Sequence, residues 1–244
     1  DGGDSIASFE IGTNLKLTPS AVQEYKRDSS LIGYWTFDEG SGATAGDSSG
    51  NGYSGTWGGT GTHWSTGSKV GSYAAIFAPA SSDYINMTNA ALRDATSAIS
   101  ISAWIKPVKN PSSNTTICSL GYNWTNNNGI GMWVNPDSGG RPYFMVGNGS
   151  TKVNFMGNSS TISDNVWYHF VGTYDGTLAR IYLNGIYQTS DDIAGPISYN
   201  TGNVLYIGAE LGSGGKYEGI IDDFRIYNRT LSAAEILALY DASK

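Results

Sequence analysis

The side chains able to act as nucleophiles or general bases are few and far apart in this sequence. Cys118 is the single cysteine and lies in the apolar run TTICSL, while His63 sits in a Gly/Thr segment and His169 lies within a run of large side chains. Two histidines so widely separated lack the spacing of zinc ligands, and an apolar run tends to bury a thiol. We therefore interpret all three residues as structural.

Oxygen-bearing side chains that suit a hard cation concentrate at a few points. The acidic and amide residues around Asp38, those of segment 47–51 and the acidic pair that begins at Asp222 combine carboxylates and amides with loop carbonyls, as calcium sites do. The alternative is that Asp and Asn here bond their own backbone in turns. The predicted metal ligands are Asp38, Asp47, Asn51 and Asp222.

Aromatic residues interleaved with Asn suggest a different chemistry. Sugars place their apolar C–H faces on aromatic rings, and amide side chains hydrogen-bond their hydroxyls. In segment 130–134, Trp133 falls on the face opposite to Met132 and its apolar neighbours. The predicted glycan-binding residues are Tyr122, Trp124, Trp133 and Tyr143, with Trp57 as a further candidate. The alternative is a sandwich face covered by its own loops.

The elements that must position these residues are centred on segment 165–185, NVWYHFVGTYDGTLARIYLNG. Two apolar-rich runs flank Asp175 and Gly176, and an Asp-Gly pair in that setting predicts a β-hairpin. In the first run both alternating faces carry large side chains, such as Trp167 on one and Phe170 on the other. We therefore expect a central hairpin with packing on each side.

The rest of the chain predicts an all-β fold of many short strands. Strands are expected at 31–38, 70–77, 84–87, 99–108, 115–120, 130–134, 143–146, 152–156, 204–208 and 219–227. The Gly-rich segment 40–61 predicts a long loop, and residues 233–240 predict a helix that begins after Thr230 or Ser232. This pattern indicates an antiparallel jelly-roll β-sandwich with a short C-terminal helix.

Length and composition restrict the domain organisation and the partners. We interpret residues 31–244 as one sandwich domain and residues 1–30 as an N-terminal tether or edge segment; an ordinary first strand plus connector is the alternative. With a net charge of −7 and no basic patch, the sequence argues against nucleic acid as a partner. No apolar run is long enough to span a membrane.

Six segments carry a resemblance to a known family. They are GYWTFDEGSG, DSSGNG, AWIKP, WYHFVGTYDG, IYLNG and GIIDDFRIYNRTLSAAEI. As an ordered set, spread over residues 31–240, they resemble the laminin-G-like (pentraxin-like, concanavalin A-like) lectin/glucanase superfamily in its bacterial form. The resemblance implies a concanavalin A-like sandwich and a place on larger secreted, pilin-like or cell-surface proteins.

The resemblance also bears on catalysis and on the metal. The glucanase relatives carry a Glu-x-Asp-x-x-Glu strand, and this sequence has no such run. In those relatives an Asp of the last strand, in a D-Y-V-R-V-Y-like run, holds calcium together with the N-terminal segment. The matching run here is DDFRIY, which places Asp222 at that position, with Asp38 expected within reach.

Together these observations predict a non-catalytic extracellular or cell-surface recognition module that binds a glycan or surface polysaccharide, acts in adhesion and holds a structural calcium ion. One alternative is an assembly or spacer domain of a surface or pilin-like protein, with a protein partner on an exposed face. The third hypothesis, a glycoside hydrolase-like enzyme, lacks the paired carboxylates that it requires.

Overall fold

The computed structural model describes residues 28–108, 115–123, 125–135, 139–157, 162–200, 205–210 and 215–244. Within these ranges the chain forms two antiparallel eight-stranded sheets, packed face to face, and a C-terminal helix, α1 (Ala233–Ser243). The predicted β-sandwich is therefore confirmed. The proposed division at residue 30 remains untested. Any element before residue 28 lies outside the described residues.

The first sheet contains the predicted central hairpin. Its strands are β1 (Leu31–Trp35), β4 (Trp64–Ser65), β5 (Ala74–Phe77), β7 (Ile99–Pro107), β12 (Tyr168–Tyr174), β13 (Leu178–Leu183), β14 (Ile186–Asp192) and β16 (Gly219–Tyr227). They run in the order β14-β13-β12-β7-β16-β5-β4, with β1 also paired to β16. The hairpin β12–β13 therefore lies inside the sheet.

The second sheet carries most of the predicted aromatic cluster. Its strands are β2 (Thr44–Ala45), β3 (Gly55–Gly58), β6 (Tyr84–Met87), β8 (Thr115–Asn123), β9 (Asn128–Asn135), β10 (Arg141–Asn148), β11 (Lys152–Met156) and β15 (Leu205–Ile207). They run in the order β11-β10-β9-β8-β15-β6-β3-β2. Strand β15 comes late in the chain yet pairs with β8 and β6, which brings distant segments to one face.

Both faces of the central hairpin are covered, as its sequence predicts. Phe170 and Ile181 are fully buried between the two sheets. At Gly172 a Cβ would lie 2.5 Å from the ring of Phe144 on the second sheet, so glycine permits close contact between the layers here. On the opposite face Val171 is buried beneath α1.

Helix α1 covers the outer face of the first sheet. Ser232 is its N-cap and forms a capping box with Glu235, which satisfies backbone N–H groups at the helix start. Ile236 and Leu239 are buried against side chains of β1, β12 and β13. The helix begins as predicted and extends to Ser243, beyond the predicted end at residue 240.

Several strands differ from the sequence expectation. The first β-strand ends at Trp35, and β5 begins at Ala74 because the preceding residues form a loop. Segment 40–61 contains β2 and β3, although its glycines predict only a loop. Strand β14 was not expected from IYQTSDD, because an exposed edge strand lacks apolar alternation. Among the described residues, no helix is long and apolar enough to cross a membrane.

Candidate functional site

A cleft of about 220 Å³ lies on the outer face of the second sheet. Trp133 on β9 pairs directly with Tyr143 on β10 and with Thr116 on β8, so the three side chains point to the same side of the sheet. The cleft is lined by Thr116, Tyr122, Trp133, Asn135, Tyr143, Asn154 and Glu210. We call this site the aromatic cleft.

The rings of the aromatic cleft form one packed cluster. Trp133 and Tyr143 are stacked, with ring centroids 6.0 Å apart and an interplanar angle of 11°, and Tyr122 meets Trp133 edge-on at 6.4 Å. Trp133 lies over Gly131, where a Cβ would come within 2.5 Å of the indole. Because the three side chains are only 6–9% exposed, most of each ring packs against protein.

Polar side chains complete the aromatic cleft. Asn154 on β11 is exposed, and no hydrogen bond to its side chain is formed within the described part of the protein. Glu210 follows β15 and is half-buried, and its carboxylate has no ion pair or hydrogen bond to any described residue. Burial raises the pKa of the Glu210 carboxyl. The pKa of Tyr122 is also raised, first by its own burial and second by the negative charge of Glu210. The aromatic cleft thus offers polar groups to a ligand.

One of the predicted glycan-binding residues, Trp57, is not brought to the aromatic cleft. Trp57 on β3 points into the main core, where it stacks on His63 at 4.4 Å and contacts Phe77 at 4.9 Å. Its indole is 6% exposed, so packing accounts for its position. Trp124 lies outside the described residues. Asn154 and Glu210, by contrast, were missed by sequence reasoning.

Asp47 and Asn51 close the loop that follows β1. The Asp47 carboxylate accepts hydrogen bonds from the backbone N–H groups of Tyr34, Ser49 and Tyr53. The Asn51 amide donates to the carbonyl oxygens of Leu31 and Ile32. These contacts correspond to the turn-forming alternative, and they occupy the oxygens of Asp47 that a cation would require.

Asp38 and Asp222 both bind the loop that precedes β5. Asp38 Oδ1 accepts from the backbone N–H groups of Ser72 and Tyr73, and Asp222 Oδ2 accepts from those of Lys69 and Val70. Asp222 is fully buried, its Oδ1 has no partner, and burial raises the pKa of this carboxyl to about 7.

These four residues fit a calcium ion only in part. Calcium takes six to eight oxygen ligands, and the described residues contain no group of three or more His, Cys, Asp and Glu side chains able to hold a metal. The second carboxylate oxygens of Asp38 and Asp222 are the ones without a hydrogen-bond partner among the described residues. Calcium therefore stays a prediction that rests on this pair.

Two of the titratable groups considered for catalysis, His169 and Cys118, are buried away from the aromatic cleft. His169 Nε2 lies 2.8 Å from Ser102 Oγ, and burial together with the charge of Arg225 lowers the pKa of His169 to about 3. Burial raises the pKa of the Cys118 thiol. Neither residue reaches solvent, which agrees with their interpretation as structural residues.

These features define a class of protein: an antiparallel two-sheet sandwich with a cleft of aromatic and hydrogen-bonding side chains on one outer face. The family described as the concanavalin A-like lectin/glucanases superfamily, Laminin_G_3, matches residues 79–237, well over half of the chain. The chain belongs to this family. A comparison with curated protein sequences finds no match.

Solved structures share the fold at low sequence identity. Domain 4 of AbnA, a GH43 extracellular arabinanase from Geobacillus stearothermophilus solved with arabinotriose, has a TM-score of 0.66 and 21% identity, over 88% of this chain and 98% of that one. The binding domain of Paraclostridial Mosquitocidal Protein 1 has a TM-score of 0.66 and 19% identity, over 88% and 52%.

A botulinum neurotoxin binding domain also shares the fold at low sequence identity. The DC binding domain, solved with SialylT, has a TM-score of 0.60 and 17% identity, over 88% of this chain and 51% of that chain. The chain therefore spans about half the length of the toxin binding domains that it matches. These similarities show that this chain shares its fold with these domains.

Proposed function

We propose that this protein is a non-catalytic carbohydrate-binding module and that the aromatic cleft is its binding site. The observation that carries the proposal is the convergence of three aromatic rings with the side chains of Thr116, Asn154 and Glu210, which have no hydrogen-bond partners among the described residues. A site for a small ligand typically combines an apolar surface with a few convergent polar groups. Such a site suits a sugar, which has apolar C–H faces and hydroxyl groups.

The described lining residues of the cleft include no pair of carboxylates, which supports binding without hydrolysis. Glycoside hydrolysis uses two carboxyl groups on either side of the scissile bond, and among its described lining residues the aromatic cleft has Glu210 alone. Because the rings are largely buried, stacking contributes modestly and hydroxyl recognition carries more of the affinity. We expect dissociation constants on the order of millimolar.

The relatives support an extracellular setting for this function. AbnA is described as extracellular, and its domain 4 was solved with arabinotriose. A neurotoxin binding domain of the same fold was solved with SialylT. We accordingly propose that this domain acts outside the cell, in adhesion to glycans or in targeting an attached protein to polysaccharide.

The test uses Asn154→Ala on the isolated domain. Asn154 is exposed and makes no side-chain hydrogen bond to described residues, so its loss should leave the fold intact and weaken glycan binding about threefold to tenfold. Asn86→Ala is the matched control, since Asn86 lies on the same sheet in β6 and outside the cleft. Calorimetric titration with arabinotriose, preceded by a glycan array, measures the effect. Equal binding by wild type, Asn154→Ala and Asn86→Ala would place the binding site elsewhere.

A second candidate function is contact with another protein. Ile186 and Tyr187 are 64% and 51% exposed, and Leu237 on α1 is 45% exposed. Gly185 adjoins Leu237, since a Cβ on it would lie 2.9 Å from Leu237 Cδ1, so Ile186 and Leu237 belong to one region of the surface. Self-association in sedimentation experiments that is abolished by Ile186→Asp would support an assembly role.

We retain calcium as a proposed structural ion. Asp38, which follows β1, and Asp222, within β16, anchor the same loop, and each keeps one oxygen without a described hydrogen-bond partner. A cation held by these oxygens and by loop carbonyls would offset the cost of burying the Asp222 carboxylate.

A further inference from the structure

Glu210 is held at the aromatic cleft by its backbone. The carbonyl oxygen of the preceding residue, Ala209, accepts a hydrogen bond from Ser119 Oγ on β8 at 3.2 Å. Ala209 also forms a β-bridge with Lys216, and the Glu210 N–H donates to the Gly215 carbonyl at 3.3 Å. The backbone that leads into Glu210 and its own N–H group are thereby held in place, and its side chain lines the cleft.

No basic residue with described contacts neutralises this carboxylate. Lys216, across the bridge, directs its Nζ to Ser82 Oγ at 2.8 Å. Arg141, at the end of β10, directs its Nη1 to Met156 Sδ at 3.4 Å. Tyr122 is the titratable group in the cleft whose pKa the charge of Glu210 affects. The aromatic cleft therefore contains one negative charge with no counter-charge among the described residues.

A half-buried carboxylate without hydrogen-bond donors is an unfavourable arrangement in the free protein. A ligand improves it by donating hydrogen bonds, and hydrogen bonds to an ionised acceptor are stronger than those between neutral groups. Sugar hydroxyls are suitable donors, whereas a carboxylate or sulfate on the ligand supplies no donor and is repelled by the like charge.

We propose that Glu210 determines the specificity of the aromatic cleft, accepting hydrogen bonds from hydroxyls on adjacent ring carbons of a neutral sugar and excluding sugars that carry a carboxylate or sulfate. This inference rests on the proposed function of the cleft. It adds the substrate class, which is neutral oligosaccharides, and it names the residue that discriminates against acidic ones.

The experiment compares Glu210→Gln with Glu218→Gln. The first substitution keeps the shape of the side chain and removes its charge within the cleft. The second removes the same charge at the other end of segment 211–217, at a residue that does not line the cleft. Both variants and the wild type are screened on an array of neutral, sialylated, uronate-containing and sulfated glycans, and their melting curves are recorded.

The wild type and Glu218→Gln should bind neutral glycans alone. Glu210→Gln should bind the same neutral glycans about tenfold more weakly and should gain acidic glycans. Its melting midpoint should equal or exceed that of the wild type, because an unpaired carboxylate is lost from a half-buried position.

Three results would overturn the inference in different ways. If Asn154→Ala weakens glycan binding while Glu210→Gln leaves both affinity and charge preference unchanged, the cleft binds glycans and Glu210 is not its discriminator. If no glycan binding depends on Asn154, the aromatic cleft is not the glycan-binding site, and the role of Glu210 is rejected with it. Wild-type binding of acidic glycans through the cleft, as tight as that of neutral ones, would also reject it.

Discussion

At the scale of single residues, the two histidines of this chain have different surroundings. His169 is 1% exposed, and its ring lies 5.3 Å from that of Trp104 and 2.8 Å, through Nε2, from Ser102 Oγ. His63 stacks on Trp57, and its Nε2 lies 3.7 Å from Asp83 Oδ1. A histidine held neutral by burial makes protein stability depend on pH.

Acid should therefore destabilise the fold through His169. Its pKa is lowered from 6.5 to about 3 in the folded chain. Above pH 6.5 the imidazole is neutral in both states. As the pH falls from 6.5 towards 3 the unfolded chain binds a proton that the folded chain does not, so stability is lost over this window. The loss is on the order of a few kcal/mol, at 1.36 kcal/mol per pKa unit.

Denaturant unfolding at several pH values measures this loss. His169→Gln removes the titrating group and retains a side chain able to bond Ser102, so its free energy of unfolding should fall less between pH 6.5 and 4 than that of the wild type. His63→Gln, which keeps His169, is the control and should retain that fall. Parallel pH profiles for the wild type and His169→Gln would contradict the assignment.

The sequence predicted the site residues unevenly. Trp133 could be placed on the outer face because it alternates with Met132 and Val134, and the pairing of β9 with β10 then brings it to Tyr143. Trp57 lies outside the family's strand motifs, and nothing in the neighbouring sequence indicated that its side chain points into the core. Glu210 could not be found, because it reaches the cleft through the pairing of β15 with β8, which no local pattern records.

At the scale of elements, the loop after β1 is held by side chains bonded to backbone. Asp47 accepts from Tyr34 N–H at 3.0 Å, from Ser49 N–H at 2.9 Å and from Tyr53 N–H at 2.9 Å. These contacts join the Gly-rich segment to β1. They explain why a segment whose glycines raise the entropic cost of ordering can take a defined path.

Asp47→Ala should destabilise the domain by about 2–4 kcal/mol, because it leaves partly buried N–H groups without an ionised acceptor. Asp47→Asn keeps one acceptor oxygen and should lose less. Asp94→Ala is the control, since Asp94 is exposed and its side chain makes no hydrogen bond to described residues; it should change stability by less than about 0.5 kcal/mol. Chemical denaturation measures all three. A neutral effect of Asp47→Ala would show that the loop does not depend on this carboxylate.

Secondary structure was most predictable where burial is asymmetric or complete. Tyr84–Met87, Lys152–Met156 and Gly219–Tyr227 have the boundaries expected from their sequences. Strand β14 was missed because an edge strand with exposed polar residues looks like a loop, and its pairing with β13 defines it. Tertiary pairing, rather than local pattern, decides such segments.

At the scale of the whole molecule, the first and last strands of the sandwich lie side by side. Strand β1 pairs with β16, and Asp38, just after β1, and Asp222, within β16, bind neighbouring parts of the loop before β5. The loop before β5 is therefore held by hydrogen bonds to residues from both the beginning and the end of the sandwich. The jelly-roll topology inferred from the sequence predicts such proximity.

Calcium should raise the melting midpoint of the domain if Asp38 and Asp222 hold it. A ligand that binds the folded chain alone adds about 2.7 kcal/mol of stability at one hundred times its dissociation constant. Melting curves in excess calcium, in magnesium and in chelator measure the effect. Asp222→Asn removes the charge of the buried carboxylate, whose Oδ1 has no described partner, and should abolish the response while the fold persists.

Identical wild-type midpoints in calcium and in chelator would show that the loop is held by the backbone hydrogen bonds of Asp38 and Asp222 without an ion. Asp222→Asn would then be expected to stabilise the domain near neutral pH, because burial raises the pKa of Asp222 to about 7 and the ionised form is the costly one.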